Sequence, residues 1–367
     1  MKDRQGHMKE KRDSMEEIKI LVLGAGGNVS QGIIKALRNA DFSGRKVKIT
    51  GACISPDSIG LFLCDSAAVS PYANEEAFLP WLIGFCNREQ IRIVLTGVEE
   101  NIMAISAGMD RFRKETDAVF VASDMDKLKI GQDKLLTCEW LEKNGLHFPQ
   151  YCCCSEESKI EELIEKAGFP LIVKPRTGKG SHGVKRIENR EELAFYIGKA
   201  EYVLQECIGD ESKEYTVGCY VDKQGILKET IVMHRKLIDG STAVAKVVKE
   251  SAVQSEAERI CRAFAPRGPL NIQMRVNEKG EAVCFELNVR FSGTTPMRAH
   301  FGYRDVEAMV KEYLFDESVD DCFRVREGTA CRYVNELYMI GEPIGDLRKE
   351  GVLETLRPYC PETETMG

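Results

Sequence analysis

Two runs of alternating residues constrain this chain most. Gly268 to Val276 and Glu281 to Val289 flank a turn at Asn277–Gly280, the pattern of a β-hairpin. Successive side chains on a strand point to opposite faces. Glu286, Asn288 and Arg290 are therefore predicted on one face, and Val283, Phe285, Leu287 and Val289 on the other. Pairing across the turn brings Gln273 opposite Glu286. A carboxylate, amides and a guanidinium in one row are costly to bury unless a charged partner sits there. Mg²⁺ between phosphates meets that condition, with oxygen ligands from the first and anion stabilisation from the last. A solvent-facing polar edge is the bland alternative, and the upstream segments weigh against it.

A length of 367 residues with 43% apolar and 30% charged content suits two or three structural units of ordinary soluble character. The net charge of -7 gives no electrostatic case for a nucleic-acid or anionic-membrane partner. Fourteen cysteines include the contiguous Cys152-Cys153-Cys154 and no CxxC pair, so neither a zinc site nor an iron–sulfur cluster is indicated. Without a signal peptide, reduced thiols in a cytoplasm are expected. No apolar run reaches the ~20 residues needed to span a bilayer. Residues 1–17 are charged and read as a disordered extension.

Folding is predicted to begin with Ile18 to Leu23, followed by the turn Gly24-Ala25-Gly26-Gly27 and a helix from Val29 to Leu37. That is the opening of a nucleotide-binding βαβ unit, but the GxGxxG spacing is missing and the turn alone is weak support for NAD. Further strands at Val47–Ile54, Ile91–Thr96 and Val119–Ala122, with a helix at Glu75–Cys86, complete a Rossmann-like domain over 18–123. Glu99 and Glu100 follow a strand at the carboxyl edge, where α/β sheets bind ligands; equally, they favour the start of the next helix.

A second unit, 124–207, opens with a helix from Asp133, and a further helix spans Glu156 to Ala167. The strand Pro170 to Pro175 carries Lys174, whose charge needs an anion or solvent. Next comes the loop Thr177-Gly178-Lys179-Gly180-Ser181-His182-Gly183-Val184, whose free backbone N–H groups can approach a polyphosphate; a flexible hairpin is the alternative. Tyr202 to Ile208 is a strand ending in Gln205 and Glu206. The third unit, 208–367, begins with Glu214 and the strand Tyr215–Val221 and contains the hairpin.

Lys134, Val173-Lys174-Pro175, the glycine-rich loop, Gln205-Glu206, Glu214, Asn271-Ile272-Gln273 and Glu286-x-Asn288-x-Arg290 stand in an order that resembles the ATP-grasp superfamily, over about residues 18 to 340. The likeness is nearest to the carbamoyl-phosphate synthetase large subunit and related stand-alone ligases. It implies an α/β and α+β fold, with a Rossmann-like domain followed by two α+β lobes. It implies that Lys134 and Lys174 hold ATP phosphates under a cover formed by Thr177 to Val184. Glu206, Cys207 and Ile208 would meet adenine and Glu214 the ribose. Gln273, Glu286 and Asn288 would coordinate one or two Mg²⁺ ions, and Arg290 would stabilise the transferring phosphoryl group.

Two departures stand out. Val289 occupies a position where the family often has proline, and neutral Gln273 stands where many relatives carry an acid, so one Mg²⁺ should bind more weakly. With one motif set and no internal repeat, full carbamoyl-phosphate synthesis by this chain alone is not expected. Candidates for the substrate are Glu99, Glu100, Arg235, Ser292, Gly293, Thr294, Arg298 and Arg332, each also readable as a surface residue.

The function implied is an ATP- and Mg²⁺-dependent ligase that activates a carboxylate as an acyl phosphate and joins it to an amine. Activation of bicarbonate or carbamate, and a non-catalytic nucleotide-binding regulator, are the alternatives. Its partners would be a small-molecule carboxylate and amine, without nucleic acid or membrane, in the cytoplasm; a homodimer is left open.

Overall fold

The computed structural model describes residues 17–355 apart from 179, 181 and 340, so all but the last residue of the 1–17 extension lies outside it. The chain first lays down β1 (Ile18–Leu23), α1 (Asn28–Arg38), β2 (Val47–Cys53), β3 (Ser66–Val69), α2 (Phe78–Glu89), β4 (Ile93–Thr96), α3 (Glu99–Ala107), α4 (Met109–Glu115) and β5 (Val119–Phe120). The strands pair in parallel in the order β3-β2-β1-β4-β5. Parallel strands covered on both faces need continuous apolar runs, and Ile20, Leu21, Val22 and Leu23 are all fully buried.

Helices α5 (Met125–Gln132) and α6 (Lys134–Lys143) follow, then β6 (Tyr151–Cys153), α7 (Glu157–Ala167), β7 (Leu171–Pro175), β8 (Lys185–Ile187), α8 (Arg190–Ala194) and β9 (Tyr202–Glu206). The strands form an antiparallel sheet in the order β6-β9-β7-β8. Alternation in β7 sends Leu171 and Val173 into the core beneath α7 and leaves Ile172 and Lys174 on the opposite face.

The third unit comprises β10 (Glu214–Val221), β11 (Ile231–Ile238), β12 (Ser241–Val247), α9 (Ser251–Phe264), β13 (Gly268–Val276), β14 (Ala282–Asn288), α10 (Thr295–His300), α11 (Asp305–Phe315) and β15 (Thr329–Cys331). Its antiparallel sheet runs β14-β13-β10-β11-β12-β15. One face, with Val217, Cys219, Ile272 and Leu287, packs on α9, whose apolar residues Val253, Ala257, Ile260 and Phe264 recur at helical spacing. The other face is divided. Its inner end, with Tyr220, Ile231 and Met233, joins one apolar core with β1, α1 and α11, so the first and third sheets are packed together. Its outer end is polar and faces β7 and β9.

Two expected boundaries differ. After α12 (Pro343–Glu350), β16 (Val352–Glu354) pairs antiparallel with β3, returning residues expected in the third unit to the edge of the first sheet. Helices α5 and α6, expected with the second unit, lie against β14, and Leu141 and Leu146 belong to the core of the third sheet.

Candidate active site

Between the four-stranded sheet and the polar end of the six-stranded sheet lies a cavity of about 290 Å³. Lys134, Ile172, Lys174 and Gln205 line one wall, and Glu214, Arg235, Leu237, Gln273, Arg275 and Glu286 the other. Glu206, Cys207 and Ile208, the connection out of β9, close the end where the two sheets meet. Thr177, Gly178, Gly180, His182 and Val184 form the rim. Lys179 and Ser181 lie outside the described residues. Gly183 does not line the cavity. It has φ +73°, and a Cβ there would come 2.8 Å from Pro175 Cγ, so it shapes the loop.

Local bonds explain how the lysines are held. Asp133 caps α6 by accepting from the Leu135 N–H at 2.9 Å, and its carboxylate also takes Arg176 at 2.6 Å. That pair ties the start of α6 to the exit of β7. Lys134, first in the helix, donates to the Gly178 carbonyl at 3.1 Å. Lys174 Nζ lies 4.7 Å from the centroid of the Phe285 ring. Burial pulls the Lys174 ammonium down to about 8, although Glu286 across the cavity works against it. Burial likewise raises Glu206.

Phe285 corrects a sequence expectation. Gln273 pairs with Glu286, but Met274 pairs with Cys284, which leaves Phe285 as the extra residue of a β-bulge. The bulge breaks strict alternation, so Phe285 and Glu286 both line the cavity. Arg275 was also not anticipated, although it lies two residues from Gln273 and shares its face.

Gln273 Oε1 accepts from Arg235 Nη2 at 2.6 Å, and Asn288 Nδ2 donates to Glu286 Oε1 at 3.2 Å. Glu286 lines the cavity and Asn288 is buried beneath it. One carboxylate with amide neighbours offers only hard oxygen donors. That fits Mg²⁺ delivered with phosphates, which supply the remaining ligands, better than a cage for the free ion. Among the described residues there is no cluster of three or more His, Cys, Asp or Glu side chains suited to a metal.

Arg290 is placed differently from the expectation. β14 ends at Asn288, and the Arg290 N–H turns back to the Asn288 carbonyl at 2.8 Å, so the alternation stops before Arg290. Its guanidinium binds Glu99 Oε1 at 2.7 and 3.0 Å and the Phe291 carbonyl at 2.9 Å. It borders a small crevice against α3 and α5 instead of the main cavity.

The other substrate candidates also have partners within the chain. Arg235 lines the main cavity and is bonded to Glu214 and Gln273. The Ser292 and Thr294 hydroxyls bond each other at 2.8 Å. Arg332 donates to the Gly293 carbonyl at 2.8 Å and to Asn28, at the start of α1. Arg298 is fully buried, paired with Asp305 at 2.5 Å and packed over Gly218, so it is no floor for a ligand entering the main cavity. Glu100 is exposed on the first turn of α3.

The sequence model of the ATP-grasp domain family matches residues 131–294, which hold both cavity walls. Residues 131–294 are an ATP-grasp domain. It is 21% identical over 249 residues to carbamoyl-phosphate synthase of Methanobrevibacter smithii, covering 65% of this chain and 66% of that protein. It is 21% identical over 306 residues to the carbamoyl phosphate synthase large chain of Halobacterium salinarum, covering 78% of this chain and 28% of that one. The chain thus spans 66% and 28% of the lengths of these relatives. Among solved structures, L-amino acid ligase from Bacillus licheniformis superposes with a TM-score of 0.61 at 16% identity, covering 81% of this chain and 74% of that one. The ATP-grasp fold of the chain agrees with the architecture expected from its motifs. Among the described residues, no helix is long and apolar enough to cross a membrane.

Proposed function

We propose that the chain is an ATP- and Mg²⁺-dependent ligase that forms carbon–nitrogen bonds, with a small carboxylate and an amine as its other substrates. The observation that carries this reading is the single cavity shared by Lys134, Lys174, Gln273 and Glu286. Two cations on one wall face a carboxylate and an amide on the other, an arrangement suited to phosphates accompanied by a divalent ion. Mg²⁺, held by Glu286 with Asn288 and Gln273 beside it, would neutralise charge between the β- and γ-phosphates.

In the proposed reaction a carboxylate oxygen attacks the γ-phosphorus, the bond to the ADP oxygen breaks, and an acyl phosphate and ADP result. The amine nitrogen then bonds the acyl carbon as phosphate leaves and the nitrogen loses a proton. Lys134 and Lys174 hold the phosphates in line, Glu206 to Ile208 seat the base, and the 177–184 loop excludes water that would hydrolyse the acyl phosphate. Arg290 reaches the phosphoryl group after leaving Glu99, and Asn28, Ser292 to Thr294 and Arg332 surround the carboxylate.

ADP release across a panel of carboxylates, each with and without amines, tests this. Release that depends on a particular carboxylate and rises with an amine supports it; failure of every pair to exceed the basal rate counts against it. Activation of bicarbonate or carbamate is the second reading, favoured by the carbamoyl-phosphate synthase relatives. Bicarbonate-dependent ADP release without an organic carboxylate would select it.

A further inference from the structure

Three charged side chains stand in line across the cavity wall on three neighbouring strands. Glu214 of β10 pairs directly with Arg275 of β13, and the pairing of Tyr215 with His234 brings Arg235 of β11 level with Glu214. Glu214 is only 5% exposed. Its Oε1 accepts from Arg235 Nε at 3.0 Å and Nη2 at 2.6 Å. Its Oε2 accepts from Arg275 Nε at 2.9 Å and Nη2 at 2.7 Å. An ionised carboxylate offers about four lone-pair sites, and these four N–H groups fill them. Burial by itself would raise the Glu214 carboxyl, but the flanking guanidiniums hold it below its ordinary value and keep it ionised.

A saturated acceptor has nothing left for sugar hydroxyls. Freeing it would break two bidentate ion pairs at a buried position and leave charge uncompensated. The same arrangement aims donors at the cavity. Both guanidiniums line it, and among the described residues their hydrogen bonds to protein use only Nε and Nη2. The row carries a net positive charge and lies about 7 Å along the strand from the Gln273–Glu286 row. Arg235 joins the two rows by also binding Gln273. Arg275 thus keeps the Nη1 edge of its guanidinium for a phosphate, among the described residues, and Arg235 keeps its Nη1.

We propose that Arg275 contacts the nucleotide, acting with Arg235 on its phosphate oxygens, and that Glu214 is a positioning residue for both arginines. This corrects the ribose role that the family resemblance implies for Glu214, and it rests on the ATP-dependent reading above. The sugar hydroxyls are then read weakly, and the phosphates strongly, from this wall.

Calorimetric titration of the whole chain with MgATP, Mg-2′,3′-dideoxy-ATP and adenosine tests the assignment. The unmodified chain binds the two triphosphates within about twofold of each other, because the hydroxyls face a filled carboxylate. Arg275→Gln weakens MgATP by about tenfold and leaves adenosine unchanged, as loss of one charge-assisted phosphate contact requires. Glu214→Gln shows the same split, which general loosening of the site would not, and Arg275→Lys recovers part of the loss. A dideoxy triphosphate bound tenfold or more weakly by the unmodified chain overturns the proposal, as does an Arg275→Gln chain that binds MgATP normally. Should the variants not fold, the comparison on the unmodified chain decides alone. An unmodified chain that binds no MgATP defeats the ligase reading as well, a result distinct from normal MgATP binding that ignores Arg275.

Discussion

The main cavity and the region around Arg290 both draw residues from the β13–β14 hairpin and its continuation, yet they are prepared in opposite ways. In the cavity, Lys174 faces Glu286, and Arg235 and Arg275 are anchored through Nε and Nη2 while, among the described residues, Nη1 of each makes no hydrogen bond. Around Arg290 the polar groups have satisfied one another. Glu99 takes the guanidinium, Ser292 takes Thr294, and Arg332 takes Asn28 and Gly293. A ligand in the first region adds contacts, whereas a ligand in the second must replace contacts already present. Internal pairs of that kind make a site selective, since only a ligand that compensates both partners displaces them.

The contrast can be broken most directly at Glu286. Glu286→Gln should lower the rate of ADP formation by roughly 10²–10³, the scale seen when a preorganised charge contact at a reacting phosphate is lost. Steady-state rates with fold verified by circular dichroism measure it, and a loss below threefold would remove Glu286 from the site. Gly218→Ala sharpens the distinction from the other side, because a Cβ there would come 2.5 Å from the buried Arg298 Nη1. Overpacking of this sort should cost about 1–3 kcal/mol in chemical denaturation. A normal unfolding midpoint would show that Arg298 has room to move and is not the fixed structural pair described above.

The pH dependence of binding follows from Lys174. Its ammonium is charged below about 8 and loses its proton above that value. Affinity for MgATP should therefore fall as pH rises, by roughly tenfold between pH 7 and pH 9. The linkage to stability has the opposite sign. Between about 8 and its ordinary value the unfolded chain binds the extra proton, so Lys174 makes the folded state more stable as pH increases over that window. Titrations at both pH values check the first statement, and a flat affinity would mean that Lys174 touches no phosphate. The smallest effect is expected at Glu99. Glu99→Gln weakens an internal competitor for Arg290, so the KM for the carboxylate should fall by about threefold while MgATP affinity stays put. A higher KM would instead make Glu99 a contact of the substrate.

The cavity was the more legible of the two regions because regular alternation governs it. Period-two patterns in β7, β13 and β14 put Lys174, Gln273 and Glu286 on facing walls, and the cap at Asp133 marked the helix that presents Lys134. Arg275 was available from the same alternation, two residues beyond Gln273. Where regularity fails, the sequence is silent. A one-residue bulge turns Phe285 inward, and nothing local announces it, since its cause is a register shift against β13. Arg290 left the predicted row because its backbone closes a turn onto Asn288. The partners Glu99 and Asn28 lie far away in sequence, so no spacing rule could have linked them to Arg290 or Arg332. The three-residue β16 is too short to carry a period at all.

The return of β16 to β3 restricts which parts of the molecule can swing. Residues 352–354 clasp the rim of the opening sheet, while β1, α1 and α11 share a core with the far sheet, so those two layers are stitched together at both ends of the described chain. A fragment stopped at residue 123 would leave the β3 edge bare, an invitation to pair with other molecules. The small sheet of β6–β9 is fastened to neither layer in this way: with α7 and α8 it closes an apolar core of its own.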